Sequence, residues 1–376
     1  MKILYDYKIF TNQKYGGISR YFYELIKNLI DINDENIDKI FLFQGFYLCN
    51  YDLSDLKNNK LNYFGIKRPE IKKTKRIFEK INELIFKNYI RKNNLSSISN
   101  LIYHPTYFGL IEPILQKKAK IVQTVYDMTY ERFPKLFKNS NKIIEYKKIS
   151  INQAHHIICI SNFTKQDLIE IYILNPYKLD VIHLASNLNE IPKDSLINID
   201  YYKPYILFVG DRYGYKNFEI VLDCFINKKL YKDFNLVCFG GNSFTTTELK
   251  IINENKNLKN RVFQITGNDN LLKTFYKNAY CLVYPSKYEG FGLPVLEALS
   301  LGCPVISSDS SSLPEVAGKA VLYFNHSDKD GLLKQIEILN NQKFRENLII
   351  KGFEQSKKFS WEKTAKETIE VYKKIL

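Results

Sequence analysis

This 376-residue chain has neither a paired-cysteine motif nor an apolar run long enough to span a membrane. Its six cysteines form no C-x-x-C pair and stand singly, most of them in apolar strand-like runs, at Cys49, Cys159, Cys224, Cys238, Cys281 and Cys303. Small buried thiols suit this pattern, whereas a disulfide framework or a zinc site does not. No run of eighteen uncharged apolar residues occurs, which argues against a transmembrane helix.

The opening residues do not have the pattern of a secretory signal. Asp6 and Lys8 interrupt the apolar stretch at the start, and no small-residue cleavage site follows. We therefore expect a cytoplasmic protein.

Metal sites and nucleophile pairs are also missing from the sequence. His155, His156 and His183 have no carboxylate or cysteine partners at metal-like spacing, and no motif places a Ser–His or Cys–His pair. Asp328-Lys329-Asp330 has the D-x-D form of metal-dependent transferases, but a helical pattern follows it, so we interpret Asp328 as a helix cap. The sequence predicts no metal and no other cofactor.

Positive charge is abundant. The formal net charge is +15, a field that attracts phosphates, nucleic acid or an acidic lipid surface without choosing among them. Residues 67–92 carry ten Lys or Arg against three Glu, and the predicted apolar face of this stretch is Ile77, Ile81, Leu84 and Ile85. Two interpretations stay open: a solvated helix that covers a sheet, and a helix that faces an anionic membrane.

Strand-like and helix-like segments alternate along the chain on both sides of a polar stretch. The first strand candidate spans residues 2–10, and the alternation resumes at 205. This order predicts two α/β domains with parallel sheets, at 1–187 and 204–355, joined by a linker at 188–203. Parallel sheets bind ligands at the carboxyl ends of their strands, so we expect a ligand cleft where the two domains face each other.

The segment from Glu289 to Glu297 carries the strongest chemical pattern. A strand at 280–284 precedes it, Gly290 and Gly292 allow a close backbone approach, and Pro294 marks the start of a helix. The start of a helix offers unpaired N–H groups and a partial positive charge, which suit a diphosphate or sugar hydroxyls. Carboxylates suit hydroxyl donors better than phosphates, so we assign both glutamates to hydroxyl groups.

A second cationic pattern follows the strand at 205–209. Arg212 and Lys216 lie in the turn before a helix that starts near Asn217, which is a good helix N-cap. Two cations at a strand end could clamp a diphosphate, although such side chains in loops are often only solvated.

The segment Glu289–Glu297 resembles the E-x7-E motif of the family 4 (group 1) glycosyltransferases, which are retaining enzymes with the GT-B fold of two facing Rossmann-like domains. The resemblance implies that Glu297 binds the ribose hydroxyls of a nucleotide sugar and that Glu289 lies near the transferred sugar. It also implies that sugar hydroxyls and the diphosphate bind the backbone amides of Gly290, Phe291, Gly292 and Leu293.

The same resemblance extends over nearly the whole chain. Arg212 and Lys216 correspond to the Arg and Lys that neutralise the donor diphosphate, and Thr266 and Gly267 correspond to a strand end that contacts the nucleobase through its backbone. The pair Gly16-Gly17 is similar to the family's glycine loop, which closes over the diphosphate and the acceptor.

Three further features of the family have counterparts here. Tyr126 stands where relatives often carry His, followed by Asp127, at a position linked to the donor sugar partly through its carbonyl. His104 lies at a strand end and either faces an acceptor or is an ordinary loop residue. The segment 356–376 resembles the closing helix that crosses back to the amino-terminal domain, with Trp361 as its anchor.

The resemblance implies a metal-independent retaining transferase. It would move a hexose-type sugar from a GDP- or UDP-sugar to a glycan or lipid-linked glycan during surface polysaccharide assembly, with peripheral contact at the inner membrane face. Its front-face mechanism lets the donor β-phosphate accept the acceptor's proton. The alternatives are an epimerase, a non-catalytic nucleotide-sugar binder, and a basic nucleic-acid module. The last lacks any nucleic-acid-binding signature, so we expect no such partner.

Overall fold

The computed structural model describes residues 1–14, 16–54, 56, 58–71, 74–186, 188 and 198–376. The chain divides into two compact units, the first formed by Met1–Leu184 with Trp361–Leu376 and the second by Ala185–Ser360. Each unit contains one parallel sheet with helices between its strands. The α/β architecture predicted from the alternating pattern is confirmed.

The first unit is built on a seven-stranded sheet in the order β3-β2-β1-β4-β5-β6-β7. Its strands are β1 Lys2–Tyr5, β2 Lys39–Tyr47, β3 Leu61–Lys67, β4 Leu101–His104, β5 Lys120–Val125, β6 His156–Cys159 and β7 Leu179–Val181. The central strands are buried along nearly their whole length, as in sheets covered by helices on both faces.

The helices of this unit are α1 Lys8–Asn12, α2 Gly17–Ile32, α3 Lys75–Lys92, α4 Pro113–Lys118, α5 Thr129–Arg132, α6 Ser140–Gln153 and α7 Asn162–Tyr172, together with the carboxy-terminal helix, which is numbered α15 below. The strand predicted over residues 2–10 is wrong in its second half, because β1 stops at Tyr5 and residues 8–12 form α1. The prediction also missed β3, an edge strand in which no residue is fully buried.

Helix α3 corrects the apolar face that was predicted for the basic stretch. Its buried side chains are Asn82, Phe86, Tyr89 and Ile90, and the Phe43 ring of β2 lies 5.1 Å from the Phe86 ring. Ile77 and Leu84, predicted as part of the apolar face, are instead 58% and 64% exposed. The stripe that contains Phe86 and Tyr89 has the same helical period as the predicted stripe that contains Ile77 and Leu84. Packing against β2 buries the stripe with the two aromatic residues.

The carboxy-terminal helix α15, Trp361–Ile375, packs against α2 within the first unit. The Trp361 ring lies 6.2 Å from that of Tyr21, and the Tyr372 hydroxyl lies 2.8 Å from the Tyr5 hydroxyl. This last helix therefore completes the core of a unit whose other residues end at Leu184.

The second unit is built on a six-stranded sheet in the order β10-β9-β8-β11-β12-β13. Its strands are β8 Tyr205–Val209, β9 Asn235–Phe239, β10 Val262–Ile265, β11 Cys281–Tyr284, β12 Val305–Ser308 and β13 Leu322–Phe324. The chain runs outward from β8 to β10 and then returns to β11 on the other side of β8. The strand order thus reverses between β8 and β11, the place where open parallel sheets bind ligands.

The helices of the second unit are α8 Phe218–Asn227, α9 Thr246–Glu254, α10 Asp269–Asn278, α11 Leu293–Ser300, α12 Leu313–Ala317, α13 Lys329–Ile338 and α14 Gln342–Ser356. Most of the linker predicted at 188–203 falls on residues 189–197, outside the described residues. On either side of that gap, Leu188 and Ile199 are buried in the core of the second unit.

None of the helices in the described part of the chain combines the length and the apolar character that crossing a bilayer requires.

Candidate functional site

Two residues that the sequence singled out meet at the point where the strand order of the second sheet reverses. Lys216 lies in the turn between β8 and α8, and Glu289 lies in the loop between β11 and α11. Lys216 Nζ is 2.7 Å from Glu289 Oε1, and the two side chains are only 18% and 11% exposed. The neighbouring carboxyl ends of β8 and β11 bring these charges together.

Tyr284, the last residue of β11, completes this cluster. Its hydroxyl donates to Glu289 Oε1 at 2.8 Å and lies 3.4 Å from Lys216 Nζ. Burial raises the Tyr284 pKa well above its usual value, and the Glu289 carboxylate raises it further. The phenol therefore keeps its proton and holds the carboxylate in place. The sequence pattern had not assigned a role to Tyr284.

Two serines fix the backbone of the Glu289 loop. The Glu289 N–H donates to Ser311 Oγ at 2.8 Å, and Ser312 Oγ donates to the Glu289 carbonyl at 2.8 Å. Ser311 has a φ of 54°, a left-handed conformation that costs free energy in a non-glycine residue. The loop is thus held by the segment that follows β12, which the sequence pattern did not reveal.

Asn217 positions Lys216, but differently from the prediction. It occupies the N-cap position of α8, yet its side chain makes no capping bond. Instead, Asn217 Nδ2 donates to the Pro285 carbonyl at 3.1 Å and to the His326 carbonyl at 2.7 Å. Asn217 therefore ties the start of α8 to the loops after β11 and β13.

The glycine turn leads directly into the amino terminus of α11. Gly292 has a φ of 101°, and a Cβ atom there would lie 2.6 Å from Leu313 Cδ2, so both conformation and space favour glycine. In the described structure, no acceptor is found for the N–H groups of Gly292 and Leu293. With the helix dipole, these groups make this end of α11 attractive to an anion.

Glu297 lies in the second turn of α11 and is buried. The Tyr276 hydroxyl of α10 donates to Glu297 Oε2 at 3.0 Å. Burial, reinforced by the Glu297 charge, raises the Tyr276 pKa well above its usual value, so this hydroxyl also keeps its proton. The E-x7-E spacing thus joins two carboxylates that are each held by a buried tyrosine.

Arg212 does not join Lys216 in this structure. Its Nε atom lies 3.0 Å from Glu248 Oε1, its Nη2 donates to the Asn242 carbonyl at 2.6 Å, and its guanidinium lies 4.6 Å from the Phe244 ring centroid. Among the described residues Arg212 Nη1 is buried without an acceptor. Arg212 instead pairs with Glu248, which sequence reasoning missed, and its contact with a donor diphosphate stays a prediction.

The predicted nucleobase contact, Thr266 and Gly267, lies on the exposed turn between β10 and α10. Asn268 Oδ1 caps α10 by accepting from the Leu271 N–H at 3.0 Å. A Cβ atom on Gly267 would lie 2.5 Å from Leu271 Cδ2, so this turn is tightly packed against its own helix. The backbone of the turn is accessible, and its contact with a base remains a prediction.

In the first unit, Gly16 and Gly17 lie at the start of α2. Gln13 Oε1 accepts from the Ser19 N–H at 3.3 Å, so this side chain caps the helix. A Cβ atom on Gly16 would collide with the Gln13 side chain. Tyr15, which precedes the pair, lies outside the described residues, and the donor-loop role of the two glycines stays a prediction.

Tyr126 and Asp127 follow β5, and both make contacts within the first unit. The Tyr126 ring is buried 5.9 Å from that of Tyr21, and its hydroxyl has no hydrogen-bond partner among the described residues. Asp127 Oδ1 accepts from the Thr129 N–H at 2.8 Å, and its carbonyl accepts from Lys147 Nζ at 2.8 Å. A donor-sugar role for either residue remains a prediction.

His104 is wrong as an acceptor-facing residue. It is completely buried, with Nδ1 2.7 Å from Tyr372 Oη of α15 and Nε2 2.8 Å from Thr124 Oγ1 of β5. Both ring nitrogens are therefore used inside the unit. Burial lowers the His104 pKa to about 3, so the ring is neutral at physiological pH.

This buried histidine predicts acid sensitivity of the first unit. Between about pH 6.5 and about pH 3, His104 is protonated in the unfolded chain and neutral in the folded chain. The free energy of unfolding should therefore fall by up to about 1.4 kcal/mol per pH unit within this window. His104→Gln keeps polar atoms for Tyr372 and Thr124, and its free energy of unfolding should fall less steeply as the pH decreases. Parallel slopes of urea-unfolding free energy against pH for both proteins would contradict this.

Helix capping explains the D-x-D sequence. Asp328 Oδ1 accepts from the Gly331 N–H at 2.9 Å at the start of α13, which confirms the predicted cap. Throughout the described ranges, no three His, Cys, Asp or Glu side chains come together as ligands for a metal ion. All six cysteines are buried free thiols, as expected.

Comparison with known proteins identifies relatives of both the second unit and the whole chain. Residues 192–355 match the family model described as glycosyl transferases group 1. An O-antigen chain mannosyltransferase B of Escherichia coli is 26% identical over 375 residues, covering 95% of this chain and 96% of that protein. An O-antigen chain mannosyltransferase of Salmonella typhimurium is 31% identical over 221 residues, covering 57% of this chain and 60% of that protein.

A solved structure shares the fold over the full length. Sucrose-phosphate synthase of Thermosynechococcus elongatus superposes with a TM-score of 0.71 at 17% identity, covering 100% of this chain and 98% of that one. Likeness at this identity concerns the fold alone. It agrees with the GT-B assignment of two Rossmann-like parallel-sheet domains.

Proposed function

Because residues 192–355 belong to the glycosyl transferases group 1 family and the chain is a glycosyltransferase, we propose that it moves a hexose-type sugar from a GDP- or UDP-sugar to a glycan acceptor with retention of configuration. One observation carries the proposal: Lys216, Glu289 and Tyr284 meet at the reversal of strand order in the second unit. The start of α11 lies on the same loop and adds the N–H groups of Gly292 and Leu293, for which the described residues offer no acceptor.

Each part of this site suits one part of a nucleotide sugar. The Lys216 ammonium and the amides of Gly292 and Leu293 compensate the charge that develops on a departing nucleoside diphosphate. The Glu289 carboxylate accepts hydrogen bonds from hydroxyls of the transferred sugar, and the Glu297 carboxylate accepts them from the ribose. Tyr284 and Tyr276 orient these two carboxylates.

The reaction needs orientation and charge stabilisation. The bond between the anomeric carbon and the β-phosphate oxygen breaks, and the acceptor oxygen bonds to the same face of that carbon. The acceptor's proton passes to the departing phosphate oxygen, so no protein nucleophile is required. The similarity to O-antigen chain mannosyltransferases supports mannose as the sugar and a surface polysaccharide, free or lipid-linked, as the acceptor.

Acceptor-dependent release of nucleoside diphosphate tests this function. The purified protein is incubated with GDP-mannose or a UDP-hexose, with and without glycan acceptors, and both products are quantified. Transfer predicts equal amounts of nucleoside diphosphate and elongated acceptor with a retained anomeric configuration. Conversion of the donor without an acceptor would favour an epimerase. Donor binding without turnover would favour a non-catalytic protein. Salt-sensitive filter binding of nucleic acid, without donor binding, would favour a nucleic-acid module.

Turnover should not depend on a divalent metal ion. In our proposal Lys216 and the start of α11 supply the positive charge that a cation would otherwise bring to the diphosphate. Excess EDTA should leave the rate of nucleoside diphosphate release within about twofold of the untreated rate, a change of less than 0.5 kcal/mol in the barrier. Abolition of turnover by EDTA, and its restoration by Mg²⁺ or Mn²⁺, would refute metal independence.

Peripheral contact with an anionic membrane, at the cytoplasmic face of the inner membrane, is part of the proposal. Helix α3 presents Ile77 and Leu84 to solvent, one heptad apart on the same stripe, with Arg76, Lys80 and Arg91 beside them. Apolar side chains flanked by cations are typical of helices that lie at a lipid surface.

Cosedimentation with vesicles tests this contact. Arg76, Lys80 and Arg91 changed together to glutamine should lower binding to phosphatidylglycerol vesicles at least about tenfold, since each cation near such a surface contributes on the order of 1 kcal/mol. Lys334, Lys343 and Lys351, exposed in the second unit, provide a matched triple change to glutamine. Equal binding by both triple variants would show that α3 is an ordinary solvated helix.

A further inference from the structure

Arg68 is a buried cation that has no counter-charge among the residues that the structure describes. It follows β3 at the carboxyl edge of the first sheet and is only 8% exposed. Its Nε atom is buried without an acceptor, and no described residue forms an ion pair or hydrogen bond with its guanidinium. Within the described part of the chain, the guanidinium lies over the ring of Phe78, whose centroid is 5.1 Å away.

An unpaired buried charge is costly, and arginine is almost never buried without a partner. Two described carboxylates on the segments around Arg68 pair with other cations. Glu70 pairs with Lys14 at 2.6 Å, and its lowered pKa is due first to Lys14, with Arg68 a minor contributor. Glu79 lies 3.9 Å from Lys75. A phenyl ring offsets only part of the cost of desolvating a guanidinium.

The start of α3 adds further positive character at the same place. Phe78, which contacts Arg68, lies at the end of the first turn of this 18-residue helix. The first turn contains Lys75 and Arg76 and no acidic residue, and the Thr74 side chain makes no capping bond. The described residues offer no acceptor to the N–H groups of Lys75 and Arg76. A helix amino terminus favours anions, so basic residues here suit an external anion.

We propose that Arg68 and the amino terminus of α3 bind a phosphate group of the acceptor, attached to an apolar chain. A guanidinium can hold a phosphate through two parallel hydrogen bonds. Ile71 and Ile77, both 58% exposed, flank the site in sequence and offer apolar surface to the chain that bears the phosphate. This inference rests on the proposed transferase function and specifies its acceptor as a lipid-linked phosphate or diphosphate.

Binding of geranyl diphosphate, a short isoprenoid diphosphate, tests the site directly. The full chain is first saturated with a nucleoside diphosphate so that the donor site is occupied. Geranyl diphosphate should then raise the melting temperature of the wild type and of Lys118→Met, an exposed control in the same unit. Both proteins should bind it with an affinity at least tenfold higher than that of Arg68→Met. Without ligand, Arg68→Met should melt at or above the wild-type temperature, because it removes an unpaired buried charge.

Equal stabilisation of all three proteins by geranyl diphosphate would overturn the inference. So would an Arg68→Met protein that loses binding to phosphatidylglycerol vesicles while keeping geranyl diphosphate binding, because the phosphate would then be a lipid headgroup. A lower melting temperature with unchanged ligand affinity would assign Arg68 a purely structural role.

A kinetic comparison separates this inference from the transferase proposal. Arg68→Met should raise the acceptor KM at least tenfold for a diphosphate-linked glycan and leave it unchanged for the same glycan on an uncharged alkyl chain. An equal rise for both acceptors would overturn the phosphate site while transfer itself persists. Absence of transfer in every protein would overturn the proposed function, and the binding experiment would still decide the site.

Discussion

Replacing Lys216 with methionine is expected to lower kcat by about 10² to 10³-fold, with a smaller change in donor KM. The ammonium lies in a largely buried cluster where charge on a departing diphosphate would develop, 2.7 Å from Glu289 Oε1. Removing one such stabilising group typically costs two to three orders of magnitude in kcat. Methionine keeps the unbranched stem, so packing around the turn after β8 should survive. Initial rates of nucleoside diphosphate release measure the effect.

Two controls identify the origin of this loss. Lys287→Met removes an exposed cation from the loop after β11 and should leave kcat unchanged. Lys216→Met combined with Glu289→Gln removes both charges of the ion pair, so recovery of activity in the double variant would mean that an unpaired carboxylate caused the loss. Our proposal predicts no recovery. A Lys216→Met protein with wild-type kcat would contradict the role of Lys216 in the reaction.

Replacing Glu297 with alanine is expected to weaken donor binding by about 10 to 100-fold. A hydrogen bond to a charged group contributes roughly 1.5–3 kcal/mol, and a buried carboxylate held by Tyr276 is already oriented to accept from ribose hydroxyls. Titration calorimetry with the preferred nucleoside diphosphate gives the dissociation constant. Our account also predicts that wild type discriminates against the 2′-deoxy form of the nucleotide, whereas Glu297→Ala does not.

The partner of Glu297 supplies the control. Glu297→Ala leaves the buried Tyr276 hydroxyl without this acceptor, which itself lowers stability. Tyr276→Phe removes the hydroxyl and keeps the carboxylate, so it should retain most of the donor affinity and the discrimination at the ribose. If Tyr276→Phe weakened binding as much as Glu297→Ala, the effect would come from the packing of α10 against α11, and the ribose assignment would fail.

The features that the sequence could predict are local ones. Glu289, the glycine turn and the start of α11 lie within a few residues of each other, and strand-helix alternation sets their place at a strand end. Lys216 joins them because β8 and β11 are adjacent, which follows from the parallel α/β pattern once the order of strands reverses. Contacts of this kind depend on fold class more than on individual side chains.

The features that the sequence could not predict depend on partners far along the chain. His104 looked accessible at a strand end, but Tyr372, 268 residues later, covers it. Arg212 looked available to a diphosphate, but Glu248 lies beside it. In α3, two stripes of apolar residues have the same period, and only packing against β2 distinguishes the buried stripe from the exposed one. Tertiary packing decided each case.

The most direct test of a nucleotide-sugar site in the second unit is a thermal-shift panel of UDP, GDP, dTDP and ADP sugars on the wild-type protein and on Glu297→Ala. At a ligand concentration of about 100 times the dissociation constant, binding stabilises a protein by about 2.7 kcal/mol, which is readily seen as a rise in melting temperature. Our account predicts such a rise with sugars of one base, and a much smaller rise in Glu297→Ala. The absence of any rise across the panel, or equal rises in both proteins, would contradict it.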